Sequence, residues 1–147
     1  MAVFTLTQVI DRPVEDVFNT VIHVEEFPRW SSQNPSARRL TDGEIGGGSR
    51  FEMEIKGFGM VLQELQEFES NRRVRIVPHI KTLAGGHRFT FTNVGGKTQV
   101  DHELEMTPKG VYRLLTPIIS FMGKKNLRMT AQALKTYLEQ SHASRGE

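Results

Sequence analysis

Apolar and polar residues alternate through most of the chain between residues 36 and 107, a pattern typical of strands with one buried face. The clearest example is Val100 to Met106, where apolar residues and one histidine alternate with acidic residues. Residues 3–10, which are rich in β-branched and aromatic side chains, predict an earlier strand. The pattern therefore indicates a sheet of about seven antiparallel strands.

Glycines and asparagines divide this region into strands. Asn93-Val94-Gly95-Gly96 predicts a hairpin turn, and Gly57-Phe58-Gly59 predicts another turn. Gly85-Gly86 is expected to break a strand, since glycine weakens strand interiors. The glycine-rich segment 43–49 is expected to form a flexible loop.

Helical spacing appears at both ends of the chain. Residues 13–22 predict a short amphipathic helix led by Pro13, and residues 25–30 predict a second short helical turn. Residues 110–141 predict a long C-terminal helix with a kink at Pro117. A helix of that length would span about 48 Å, so we expect it to cross the whole sheet and cover its apolar face.

Composition narrows the class of protein. The chain has 147 residues, of which 37% are apolar and 24% are charged, so disordered and fibrous classes are excluded. It contains no cysteine, which excludes disulfides, thiolate nucleophiles and cysteine-based zinc sites. The sequence shows no signal peptide and no apolar run of membrane-spanning length. We expect a cytoplasmic protein with one domain over residues 1–147.

Charge is divided unevenly between the two halves. Residues 1–71 carry a net −6 and residues 72–147 a net +8. Such asymmetry can indicate a nucleic-acid or membrane partner. The arginines at 72, 73 and 75 lack the neighbouring aromatic residues that stack on bases. We expect no nucleic-acid partner and mutual compensation of the two halves within one globule.

The order of these elements resembles a known family. Ile10-Asp11-Arg12-Pro13-Val14 is similar to the strand and proline-led helix that open START-like, helix-grip (SRPBCC) proteins. Phe27-Pro28-Arg29-Trp30 and the stretch from Asn126 to Glu139 resemble the family's second short helix and its final helix. The most similar subgroup is the bacterial polyketide cyclase/dehydrase-like set. The segment Ser70-Asn71-Arg72-Arg73 departs from it, because many relatives have prolines before the arginines.

This resemblance implies an α+β fold in which a curved antiparallel sheet grips a long C-terminal helix, with two short helices after the first strand. It also implies a cavity between sheet and helix that binds apolar small molecules or lipids. Members include carriers, sensors and some enzymes, and they share no universal catalytic residue. We expect no cofactor.

Apolar residues with inward parity would line that cavity or fill an ordinary core. Methionines suit an adaptable wall, and Trp30 could cap one end of the cavity. The ligand-binding candidates are Trp30, Phe51, Met53, Ile55, Phe89, Phe91, His102, Leu104, Met106, Leu114, Ile118, Phe121 and Met122.

Two polar residues are candidates for catalysis. His102 shares parity with Leu104 and should face inward, where it could orient a ligand carbonyl or move a proton. Glu64 would join it as an acid/base pair if the strand over residues 60–69 faces inward at its even positions. The alternatives are a packed histidine and a solvated glutamate. The apolar residue Leu65 has the opposite parity, which suggests a bulge or a two-sided strand.

Two further kinds of site receive little support. His79, His87 and His102 are too dispersed for their spacing to argue a metal site, and we predict none. The loop 43–49 lacks the lysine of a phosphate-binding loop.

The segment 114–122 is apolar over more than one helical face. Besides closing the cavity, it could form a homodimer surface or a ligand gate. Lys124, Lys125 and Arg128 follow it and could contact anionic lipid headgroups, or form a solvated basic face. We expect no stable insertion into a membrane.

Two functions follow from these observations. The first is a carrier or sensor that binds a small hydrophobic molecule or lipid. The alternative is a cyclase, aromatase or dehydratase that acts on a polyketide-like substrate with His102 as acid/base. The sequence alone does not decide whether the protein is an enzyme.

Overall fold

The structure is a computed structural model that describes residues 2–145, with side chains described for residues 2–140. Its seven strands are β1 (Ala2–Ile10), β2 (Ala37–Arg39), β3 (Arg50–Ile55), β4 (Gly59–Glu69), β5 (Arg73–Pro78), β6 (Leu83–Val94) and β7 (Lys97–Pro108). They form one open sheet in the order β1-β7-β6-β5-β4-β3-β2, and every neighbouring pair is antiparallel. The predicted α+β, helix-grip architecture is confirmed.

The helices also follow the predicted order. They are α1 (Val14–Ile22), a first 3₁₀ helix (Val24–Arg29), a second 3₁₀ helix (Gly110–Leu115) and α2 (Thr116–Arg145). The predicted kink at Pro117 is wrong, because the α-helix begins at Thr116 and Pro117 lies in its first turn. A proline is tolerated there, since the N–H groups of a first turn have no partner within the helix.

The short helix α1 closes one end of the sheet. Its residues Val17, Phe18 and Val21 are buried. The ring of Phe18 meets those of Phe68 and Phe91 edge to face, each with centroids 5.4 Å apart. This aromatic contact fills the space between the sheet and α1 with ordinary core.

The long helix α2 lies over β1 and β7. A glycine at position 123 allows close approach, because a Cβ there would lie 2.4 Å from Met106 Sδ and 3.3 Å from the Phe4 ring. Further along α2, Gln8 Nε2 donates a 2.9 Å hydrogen bond to the carbonyl of Ala131. The buried stripe of α2 consists of Gly123, Leu127, Thr130, Ala131, Leu134 and Leu138.

The predicted break at Gly85-Gly86 is wrong, because β6 continues through both residues. The two glycines are required by close packing of backbones. A Cβ on Gly85 would lie 1.9 Å from the Glu105 carbonyl oxygen, and one on Gly86 would lie 2.6 Å from the Ile76 carbonyl oxygen. Gly85 also has φ of 132°, which side-chain-bearing residues rarely adopt.

The parity predicted for β4 is reversed. Its buried residues are Val61, Gln63 and Leu65, so the even positions of this stretch lie on the opposite face. The suspected bulge is present, since the pairing with β5 shifts between Gln66 and Glu69. Past the shift the parity changes, which brings Phe68 against the core.

Candidate functional site

The inner face of the sheet, which packs against α1 and α2, carries the candidate site. The predicted residues Phe51, Met53, Phe89, Phe91 and Leu104 are buried, and Trp30, Ile55 and Met106 are half-buried. Several of them belong to one hydrophobic cluster with Leu134 and Leu138 of α2. This part of the site is therefore apolar and well packed.

Two histidines on the neighbouring strands β6 and β7 interrupt the apolar surface. His102 of β7 is 2% exposed, and its Nε2 lies 2.8 Å from Nδ1 of the half-buried His87 on β6. Phe89 stacks on the His102 ring with centroids 4.1 Å apart. The register places them, because Phe89 pairs with His102 and His87 pairs with Leu104. We call this arrangement the histidine pair.

Burial keeps the histidine pair uncharged at neutral pH. It lowers the pKa of His87 to about 4, because an imidazolium loses hydration in this environment. The pKa of His102 is held well below its usual value, first by burial and second by the neighbouring charge that His87 would carry. Two neutral rings can share one hydrogen bond, in which one ring donates and the other accepts.

The shared hydrogen bond determines what the histidine pair can offer a ligand. It uses Nδ1 of His87 and Nε2 of His102, so each ring keeps its other nitrogen for another partner. A neutral imidazole has one donor and one acceptor nitrogen. Whichever ring donates, one remaining nitrogen is a donor and the other is an acceptor. The pair can therefore hydrogen-bond a hydroxyl or a carbonyl without a charge.

Glu64 does not join the histidine pair, and the predicted acid/base pair of Glu64 with His102 is wrong. The Glu64 side chain lies on the outer face of β4, whereas its neighbours Gln63 and Leu65 are buried on the inner face. There it accepts a 3.2 Å hydrogen bond from Arg50 Nε, and His79 Nε2 lies 3.8 Å away. The outer face thus holds Glu64 in an ordinary ion pair.

The predicted contribution of α2 to the pocket wall is also wrong. Leu114, Ile118, Phe121 and Met122 are 54 to 84% exposed. The side of α2 that meets the sheet is instead formed by Gly123, Leu127 and the buried residues that follow. Sequence reasoning chose the more apolar side of the segment, whereas a glycine marks the side of closest approach.

His87 was not selected as a site residue from the sequence. It shares parity with Phe89 and Phe91, which was the available signal. A strand that ended at Gly85-Gly86, as the sequence predicts, would not carry this parity to position 87. With β6 continuous, the same parity places His87 on the inner face.

A groove opens between α2 and the segment that follows the first 3₁₀ helix. It has a volume of about 230 Å³ and is lined by Ser31, Ser32, Gln33, Met129, Gln132 and Ala133. Gln33 Nε2 approaches Met129 Sδ at 4.0 Å across it. One wall of the groove is α2. The other is held to the end of β3 by the 2.9 Å hydrogen bond from the N–H of Lys56, the residue that follows β3, to the Gln33 carbonyl.

The outer face is polar by contrast. Arg88 pairs with Glu67 at 2.9 Å and with Glu103 at 2.8 Å, and Arg75 lies 3.5 Å from Glu105. Arg88 and Glu67 link the basic and acidic halves of the sequence.

Among the described residues, no three His, Asp or Glu side chains converge as a metal site requires. Within the same residues, no helix is long and apolar enough to cross a membrane.

Solved structures share this fold at low sequence identity. A protein from Thermus thermophilus is similar with a TM-score of 0.78 and 16% identity, over 95% of this chain and 99% of that one. A START superfamily protein from Mycobacterium smegmatis gives a TM-score of 0.75 at 16% identity, over 94% and 97% of the two chains. A search of curated proteins finds no match.

A third similar structure is the di-domain ARO/CYC protein StfQ from the steffimycin biosynthetic pathway. Its TM-score is 0.69 at 17% identity, and the match covers 97% of this chain and 46% of that one. The family model described as polyketide cyclase / dehydrase and lipid transport matches residues 1–139. With the open seven-stranded sheet and its long covering helix, this match shows that the chain belongs to the polyketide cyclase / dehydrase and lipid transport family.

Proposed function

We propose that this protein binds a small, uncharged hydrophobic molecule on the inner face of the sheet, with the histidine pair as its polar anchor. The observation that carries the proposal is the 2.8 Å contact between His87 and His102 on a face whose buried side chains are mostly apolar. Ligand sites commonly combine an apolar wall with a few placed polar groups. The family description supports the same class of ligand, since it names lipid transport.

The chemistry of the pair specifies the ligand further. Two neutral rings present hydrogen-bonding groups but no charge that could balance a buried carboxylate, whose desolvation is costly. A hydroxyl can donate or accept and therefore suits either arrangement of the shared proton. We infer that the preferred ligand is apolar with a hydroxyl or carbonyl head.

The alternative is an enzyme that uses His102 as acid/base, which the similarity to the ARO/CYC protein StfQ favours. A general base works best when its pKa lies near the working pH. Burial brings the pKa of His87 to about 4 and lowers that of His102 well below its usual value, so both rings are weak bases at neutral pH. This electrostatic setting favours binding over proton abstraction.

A displacement experiment tests the proposal. Nile red, an uncharged probe, is expected to bind the protein saturably. 1-Decanol is expected to displace it at a concentration at least about tenfold lower than decanoate at pH 7, since burial of an unbalanced carboxylate costs more than the roughly 1.4 kcal/mol that a tenfold difference requires. Fluorescence titration measures both affinities.

The matched variants are His87→Phe, which keeps an aromatic ring without nitrogens, and His79→Gln on the outer face. We expect His87→Phe to weaken displacement by 1-decanol about fivefold, since it removes a hydrogen bond that contributes about 1 kcal/mol, and His79→Gln to leave it unchanged. Absence of saturable Nile red binding would overturn the binding function. Equal displacement by alcohol and carboxylate would overturn the role of the histidine pair.

A further inference from the structure

The side of the segment 110–128 that faces away from the sheet is unusually apolar. We name Leu114, Ile118, Phe121 and Met122 the outer stripe, and all four are exposed. Successive residues of an α-helix are offset by about 100°, so Ile118 and Phe121 project away from the side on which Gly123 meets Met106 and Phe4. The fold itself therefore leaves the outer stripe uncovered. Exposed apolar patches of this kind mark interaction sites.

The charges around the outer stripe have one sign. Between Met106 and Leu138 the sequence contains no aspartate or glutamate, and its six cations are Lys109, Arg113, Lys124, Lys125, Arg128 and Lys135. Lys135 is bound to Glu139 at 2.8 Å. Among the described residues, no ion pair connects Lys124, Lys125 or Arg128 to a carboxylate, and all three residues are exposed. Lys124 Nζ lies 5.5 Å from the centre of the Phe4 ring, a contact that does not neutralise its charge. The outer stripe is thus followed along the helix by positive charge that no carboxylate pairs in the described part of the chain.

This combination distinguishes between partners. A two-fold dimer through the outer stripe would place the same cations of both copies near one another, and the segment has no acidic residue to compensate them. A nucleic acid would match the cations but would leave the apolar side chains without a partner. A bilayer with anionic headgroups satisfies both, because apolar side chains enter the interface while lysines and arginines meet the headgroups.

We propose that the outer stripe and the basic residues Lys124, Lys125 and Arg128 dock the protein on the surface of an anionic lipid bilayer. The contact is peripheral, since the stripe extends over only about two helical turns. It does not depend on the proposed ligand site, which lies on the other side of α2.

Vesicle co-sedimentation tests this surface. The full chain is expected to bind phosphatidylcholine vesicles that contain phosphatidylglycerol and to bind pure phosphatidylcholine weakly, with binding reduced at high salt. The variant Lys124→Gln/Lys125→Gln/Arg128→Gln should partition about 100-fold more weakly, at roughly 1 kcal/mol for each cation near the surface. Ile118→Ser/Phe121→Ser should lose at least about tenfold through reduced apolar burial.

The control is Phe58→Ser, which removes an exposed aromatic residue from the β3–β4 turn and should leave binding unchanged. Because all substituted side chains are exposed, thermal unfolding should show intact folding in each variant.

Equal binding to both vesicle types, or no binding, would overturn the proposal. A dimer in size-exclusion chromatography that Ile118→Ser/Phe121→Ser dissociates would assign the stripe to a second copy and would also overturn it. If Ile118→Ser/Phe121→Ser left binding to phosphatidylglycerol vesicles unchanged, the cations alone would account for the binding. That result would contradict the docking role of the outer stripe.

Discussion

Acidification from pH 7 to pH 5 is expected to lower the free energy of unfolding by about 2 kcal/mol through His87 alone. The folded-state pKa of His87 is about 4, whereas an unfolded histidine titrates near 6.5. Between these values the unfolded chain binds a proton that the folded protein does not, so stability is fully present above pH 6.5 and is lost as the pH falls toward 4. His102, whose pKa is also lowered, adds a loss of the same sign.

Urea unfolding at several pH values between 7 and 5 measures this effect. This pH range limits the contribution of Glu67 and Glu139 to the measured pH dependence. Bonded cations lower the pKa of both carboxyl groups, so in the folded protein they titrate at more acidic pH. The double variant His87→Asn/His102→Gln should have a much flatter profile, because an amide replaces each bonded ring nitrogen without titrating. A flat profile for the wild-type protein would contradict the uncharged histidine pair.

The outer-face histidine provides the matched control. His79→Gln removes one imidazole that lies 47% exposed near Glu64, so the steep acid dependence should remain. If His79→Gln flattened the profile as strongly as the double variant, the titrating group would lie on the outer face instead.

The register around the histidine pair could have been predicted from one turn. Both glycines of the two-residue turn Gly95-Gly96 have positive φ, and Asn93 caps it by accepting a 3.0 Å hydrogen bond from the Gly96 N–H. Such a turn pairs Val94 with Lys97 and, by counting outward, Phe89 with His102. The turn and the β6–β7 pairing that it sets are thus accessible from the sequence. The neighbouring position of His87 was missed because Gly85-Gly86 resembles a strand end.

Other features depended on packing that a sequence pattern does not contain. The bulge near Glu67, a residue with φ of 48°, reverses which positions of β4 face inward. Periodicity predicted α2 as a helix. Which side of it faces the sheet is decided by Gly123, because only a residue without Cβ fits against Met106 and Phe4. The more apolar Ile118 and Phe121 were therefore assigned to the wrong side.

The second large effect is expected at Gly85. Gly85→Ala should destabilise the protein by about 3 kcal/mol or more, since it combines an unfavourable φ of 132° with a Cβ placed 1.9 Å from the Glu105 carbonyl oxygen. The conflicting atom belongs to the paired backbone of β7, so it cannot move aside without disturbing the β6–β7 pairing. Urea unfolding compares the variant with the wild-type protein.

Two other glycines separate the causes of this loss. A Cβ on Gly46 meets no atom within 4 Å and its φ is not positive, so Gly46→Ala should change stability by no more than about 0.5 kcal/mol. Gly95 is equally open but has φ of 62°, so Gly95→Ala should cost about 1 kcal/mol from backbone conformation alone. A loss at Gly85 no larger than that at Gly95 would mean that β6 and β7 do not approach closely here. Since Gly85 lies two residues before His87 on β6, that result would also mean that the two backbones are further apart beside the histidine pair than the register set by the Gly95-Gly96 turn requires.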